Sequence, residues 1–119
     1  MAVLDADQKK VLHVLAYLML RMGQEERAGR IYAALVALAP QERPDRLAHT
    51  GLAAVAIAHW QGAEALENLR IATEGAAMSS RKAALLLMKA QALWLEGRET
   101  EARTACDEYM FLAGKRNDS

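Results

Sequence analysis

This chain carries a single cysteine, Cys106, in 119 residues, so no internal disulfide can hold it together and its stability must come from packing. Set among apolar neighbours, Cys106 is expected to be a small core residue rather than a reactive thiol, and the chain fits a reducing cytoplasm. Aromatic residues make up only 5% of the sequence, which argues against a β-sandwich built from Val, Ile and Tyr. Charge of one sign is lacking too. Fifteen basic residues balance fifteen acidic ones, leaving no positive field to gather nucleic acid or an anionic membrane. No apolar run approaches the ~20 residues that cross a bilayer, and no leader pattern opens the sequence. The longest candidates, Ala48 to Trp60 and Ala83 to Leu95, are interrupted by His49, His59, Lys89 and Gln91 and are expected to be buried helices.

What is present is alanine and leucine. The 53% hydrophobic content is weighted toward them, which suits closely packed helices. Asp5 and Gln8 form the pattern of a capping box, followed by Val11, Leu12, Leu15, Ala16, Leu18, Met19 and Met22 at helical spacing up to Gly23. A second helix is predicted through Ala28, Ile31, Tyr32, Leu35 and Leu38, stopped by Pro40. Near the other end the same order returns. Leu12, Ala16, Gly23, Glu25, Ala28, Leu38 and Ala39 recur as Leu86, Ala90, Gly97, Glu99, Ala102, Leu112 and Ala113, a shift of 74 residues. That is close to twice the ~34-residue tetratricopeptide period.

These patterns predict an all-α fold, a tetratricopeptide-like α-solenoid of about six helices in three antiparallel hairpins. One domain is expected over 1–114, with hairpins at about 6–40, 45–75 and 80–113 and a flexible tail at 115–119. The middle hairpin is the weakest copy. Leu47 to Trp60 gives one helix, Gly62 is placed at the turn, and Ala65, Leu66, Leu69 and Ile71 support another up to Gly75. Six residues beyond two periods are assigned to the linkers at 40–46 and 74–80. Ser79 or Ser80 is expected to cap the fifth helix.

No catalytic set emerges. Ser79-Ser80-Arg81-Lys82 has Ser-x-x-Lys spacing, but its partner motifs are missing and a serine opening a helix is a cap. His13, His49 and His59 show no i, i+4 pairing with a carboxylate that would suggest zinc. Glu25/Glu26, Glu64/Glu67 and Glu99/Glu101 sit near helix starts, where they complement the helix dipole. The chain is therefore read as a non-enzyme with no cofactor and no metal.

The first helix of each hairpin offers a different signal. In a stacked repeat these helices line one face, and apolar residues left over from the core can form a groove. His13, Tyr17, Leu20 and Arg21 lie away from the core stripe of the first helix. Leu87, Met88, Gln91, Trp94 and Leu95 lie on the equivalent side of the fifth, and Ala56, Ile57 and Trp60 can join from the third. Met and Trp beside small residues suit the close approach of a partner helix. Packing of Tyr17 and Trp94 beneath neighbouring helices remains the alternative.

The stretch from Leu15 to Ala28, then Leu35-Val36-Ala37-Leu38-Ala39-Pro40, resembles the opening hairpin of the small tetratricopeptide chaperones of bacterial type III secretion systems, in the YscY-like subgroup. Ala90 to Arg103, with Tyr109 and Leu112, resembles the end of the same proteins, while the middle departs from them. The resemblance implies a cytoplasmic chaperone that holds a small export substrate, YscX-like, and presents it to an export-gate protein. Related alternatives are a chaperone of the needle subunit or of the translocators. A non-chaperone helical-repeat scaffold or homodimer is the reading from outside that group. Domains that clamp acidic C-termini resemble one another in carrying Asn and Lys on their inner helices, and Tyr17, Leu20, Gln91 and Trp94 here make such a clamp unexpected.

Overall fold

The computed structural model describes residues 4–75 and 82–117. Among them the chain is all-helical: α1 Ala6–Arg21, α2 Glu25–Leu38, α3 Arg46–Ala58, α4 Gly62–Thr73, α5 Ala83–Leu95 and α6 Glu99–Asn117. The helices pair as α1/α2, α3/α4 and α5/α6, and each pair packs on the next through α2 on α3 and α4 on α5. In the first row α1 neighbours α3 and α3 neighbours α5. In the second row, among the described residues, the backbones of α2, α4 and α6 do not approach one another. This is a solenoid of helical hairpins.

Local chemistry explains the boundaries. Asp5 accepts from the Gln8 backbone at 2.8 Å and the Gln8 side chain accepts from the Asp5 backbone at 2.9 Å, which closes the expected capping box on α1. Asp45 caps α3 by accepting from the Ala48 amide at 3.0 Å. The serine cap expected for α5 falls outside the described residues. α6 runs through Gly114 to Asn117 rather than ending near Ala113, since one glycine only weakens a helix by about 1 kcal/mol.

All three hairpins turn in the same way. The amides of Gln24, Gln61 and Arg98 donate to the carbonyls of Met19, Ala56 and Leu93 at 2.8, 2.8 and 2.9 Å. The amides just before them, Gly23, Trp60 and Gly97, donate to Leu20, Ile57 and Trp94 at 3.0 to 3.1 Å. This double bond pattern is the Schellman helix ending, which needs a left-handed residue at its apex. Gly23, Trp60 and Gly97 supply it, with φ of 79°, 62° and 72°. The middle turn is therefore at Trp60, not at Gly62, which instead lies two residues on and opens α4. Trp60 stands 37 residues after Gly23 and 37 before Gly97, so the middle hairpin is in full register and three of the six extra residues fall in each linker.

The same 37-residue step places Ala16, Ala53 and Ala90 on the first row and Ala28, Ala65 and Ala102 on the second, none more than 4% exposed. Small side chains let the paired helices cross closely. Larger residues then fill between hairpins. Tyr32 and Leu35 form a core with Ala16, Ala28 and Ala48, against which Leu12, Leu20, Leu52 and Val55 pack. Ala53, Ala56, Ala65, Leu69 and Ala92 form the next core, with Ile57, Leu66, Leu85 and Met88 around it. Burial, and next the neighbouring Tyr17, pushes the Tyr32 phenol above its ordinary value of 10.0. The folded state thus favours the neutral ring, and that contribution, full below pH 10, is lost as pH rises further.

Two sites test this packing. The Tyr32 ring stands over Gly51, so a Cβ there would overlap ring carbons. Gly51→Ala should lower stability by about 1–3 kcal/mol despite its better helix propensity. Adding Tyr32→Leu, which copies Leu69 one step along, should restore most of the loss; a stabilised single variant in urea denaturation would contradict the contact.

His49 occupies the step held by Leu12 and Leu86, yet it is buried, and its Nδ1 bonds Asn68 Oδ1 at 2.8 Å. Asn68 itself holds the step of Ile31. A hydrogen-bonded polar pair thus substitutes for an apolar one. Asn68→Ala alone should cost about 1–3 kcal/mol by orphaning the ring nitrogen, whereas His49→Leu with Asn68→Ile should be near neutral or stabilising. Equal losses from both, measured as denaturation midpoints, would refute the substitution.

Candidate functional site

The open flank of the last hairpin carries a cleft of about 590 Å³. Ile57 of α3 and Trp60 of its turn form one side, and Leu87, Ala90, Gln91, Trp94 and Leu95 of α5 form the floor. Ala102, Arg103, Cys106 and Asp107 of α6 close the other side. Small residues make the floor deep: Ala90 and Ala102 are the close-crossing alanines of this hairpin. Cys106 holds the step that Tyr32 and Leu69 hold in the first two hairpins, so the third lacks their bulk. Trp60 and Trp94 are 81% and 64% exposed and present large apolar surfaces at the mouth. Cys106, half-buried and free, packs on the core of Ala90, Leu93, Ala102 and Ala105, as expected, and also forms part of the cleft wall.

Apart from Gln91, the polar lining groups, Arg103 and Asp107, stand on the α6 side. Arg103 pairs with Glu99 at 3.0 Å and Arg98 with Glu101 at 2.6 Å. The bond from Arg98 holds the Glu101 carboxyl below its usual value, but both groups are open to water and the pair adds little to stability. Among the described residues no group of three His, Cys, Asp or Glu side chains lies together as metal ligands would. What this arrangement offers is an apolar slot with charged edges, which suits the face of an amphipathic helix.

Of the twelve residues expected in a groove, Ile57, Trp60, Leu87, Gln91, Trp94 and Leu95 meet in this cleft. The rest lie elsewhere. His13 Nε2 bonds Asp45 Oδ2 at 2.9 Å and its ring centroid is 6.5 Å from that of Tyr32. Leu20 packs on the first core, while Ala56 and Met88 belong to the second. Tyr17 and Arg21 are exposed on α1 but line no part of the cleft. The physical reason is occupancy: α3 covers the flank of the first hairpin and α5 that of the second, so among the described residues only the last flank is open. The α6 wall lies outside the expected groove because that groove is sought on the first helices of the hairpins alone. The shift relating Tyr32 to Cys106 carried the signal for it.

No protein-family model matches the chain, and no curated protein matches it. The site is read from its own geometry.

Trp60 is the unusual member. A bulky residue in the left-handed region costs on the order of 1–3 kcal/mol, and such strain collects at functional sites. The flanking hairpins use glycine at this step. Trp60→Gly should therefore raise stability by about 1 kcal/mol, after glycine's own entropic cost, while stripping one side from the cleft. An unchanged or lowered denaturation midpoint would show that the turn holds no strain.

Proposed function

We propose that this chain is a tetratricopeptide-type chaperone of a type III secretion system, acting without chemistry of its own. Its cleft takes up an apolar helix of a small export substrate, YscX-like, keeps that helix from aggregating in the cytoplasm, and releases it at the export gate. The observation that carries this reading is the open apolar slot with two tryptophans at its mouth. An exposed pair of that size costs solubility unless a partner covers it. The resemblance of the first and last hairpins to the YscY-like chaperones supplies the kind of partner. Balanced charge on the chain is consistent with recognition driven by apolar burial rather than by long-range attraction.

Binding of this kind should show a negative heat-capacity change, since apolar surface leaves water on both sides. The residues at the mouth should dominate the affinity, as buried tryptophans do in other interfaces. Co-expression with candidate small export substrates, followed by calorimetry on the purified complex, tests it. Trp94→Glu should weaken binding by about 30-fold or more without loss of helicity, because the side chain is exposed in the free protein. Tyr17→Glu, outside the cleft, should change affinity by no more than about threefold. Undiminished binding by the Trp94 variant removes the cleft from the proposal.

A further inference from the structure

The cleft has a built-in description of what fits it, because the same kind of flank is already filled twice within the chain. On the first hairpin, α3 seats Ala48, Gly51 and Val55. On the second, α5 seats Leu85, Met88 and Ala92. These two sets are one set, each member 37 residues from its counterpart. A helix that occupies such a flank thus presents apolar or small residues at i, i+3 and i+7. On the third hairpin the flank is the open cleft.

One step back along the chain, the same positions fall on α1 as Val11, Val14 and Leu18. All three are exposed, together with Leu15 beside them. The protein therefore displays a docking stripe at one end and the matching slot at the other. Knob and hole are also matched in size. Tyr32 fills the first flank and faces Gly51, where no Cβ fits. In the second, Leu69 shares its core with Met88. In the third the hole residue is Cys106, too small to fill the flank, and the knob at the corresponding position of α1 is Val14. Gly29 lets Val55 close in on the first flank, at 3.6 Å from the position of a Cβ. The third flank has Arg103 there, whose aliphatic stem can lie beneath Leu18 with its charge in water.

We propose that the occupant of the cleft, when no client is present, is α1 of a second copy of this chain, docked as α3 and α5 dock inside the molecule. The interface is head-to-tail, so a pair of copies keeps one free stripe at one end and one free slot at the other, and association runs on into longer solenoids as concentration rises. It shares the cleft with the client reading but does not depend on it. A client helix in the slot displaces the neighbouring copy, so loading and self-association exclude each other.

Sedimentation equilibrium and light scattering on the full chain test this. The wild-type mass should climb above the 13.1 kDa monomer and past the dimer over a concentration series reaching about 100 μM, a range suited to an interface of micromolar affinity. Leu18→Arg and Trp94→Glu change exposed side chains, so each variant should fold, as circular dichroism checks, and each alone should be a monomer. Mixed in equal amounts they should form a complex of two chains and no more, because the intact stripe of one meets the intact slot of the other. A wild-type monomer throughout the series, as expected if the slot is filled within the chain or stays empty, overturns the proposal. So does a dimer that only Leu18→Arg dissolves, since that is a symmetric contact of α1 with α1. Leu18→Arg retains the slot, so client binding to this variant judges the chaperone reading separately, whichever way self-association falls.

Discussion

The structure depends on a steric constraint: at the heart of every hairpin a buried alanine of one helix packs with a buried alanine of the other. Ala16 shares a core with Ala28, Ala53 with Ala65 and Ala90 with Ala102. Close approach fixes how each hairpin folds on itself, and hairpins of one geometry placed at equal chain intervals fix how each stacks on the next. Larger side chains then choose which flank is filled and by how much. Tyr32, Leu69 and Cys106 occupy one step of the repeat with three different sizes, and the cleft is what the smallest of them leaves.

Much of the architecture was legible because helix geometry is local. The Asp5/Gln8 pattern, the glycines at 23 and 97 and the three- and four-residue spacing of leucines act over a turn or two of chain, and the hairpins follow from them. The middle turn was misplaced for an equally local reason. Left-handed residues are mostly glycines, and Gly62 lies close enough to draw the assignment away from Trp60. His49 added to the impression of a degraded repeat, since a histidine in a leucine's place reads as decay until its bond to Asn68 is seen.

The site was half legible. Its α5 floor follows from which side of one helix is left over, whereas its α6 wall depends on what the neighbouring hairpin does or fails to cover. That is a property of position in the stack rather than of residue type. His13, Leu20 and Met88 have the character of groove residues and are consumed by packing; Trp94, one repeat step from Ile57 and two from Leu20, is spared because among the described residues no further hairpin stacks on the third. Equivalent positions in a repeat thus carry different duties, and sequence similarity between copies conceals the difference.

The placement of the two tryptophans has a spectroscopic consequence. They are the only ones in the sequence, both stand at the mouth of the cleft, and both are mostly in water while the protein is folded and empty. Intrinsic fluorescence therefore reports poorly on unfolding, which moves these indoles from one aqueous setting to another. It reports well on occupancy, which moves them into an apolar one. The emission maximum of this protein is a gauge of what sits on its last hairpin, and dilution or titration can be followed by it without any added label.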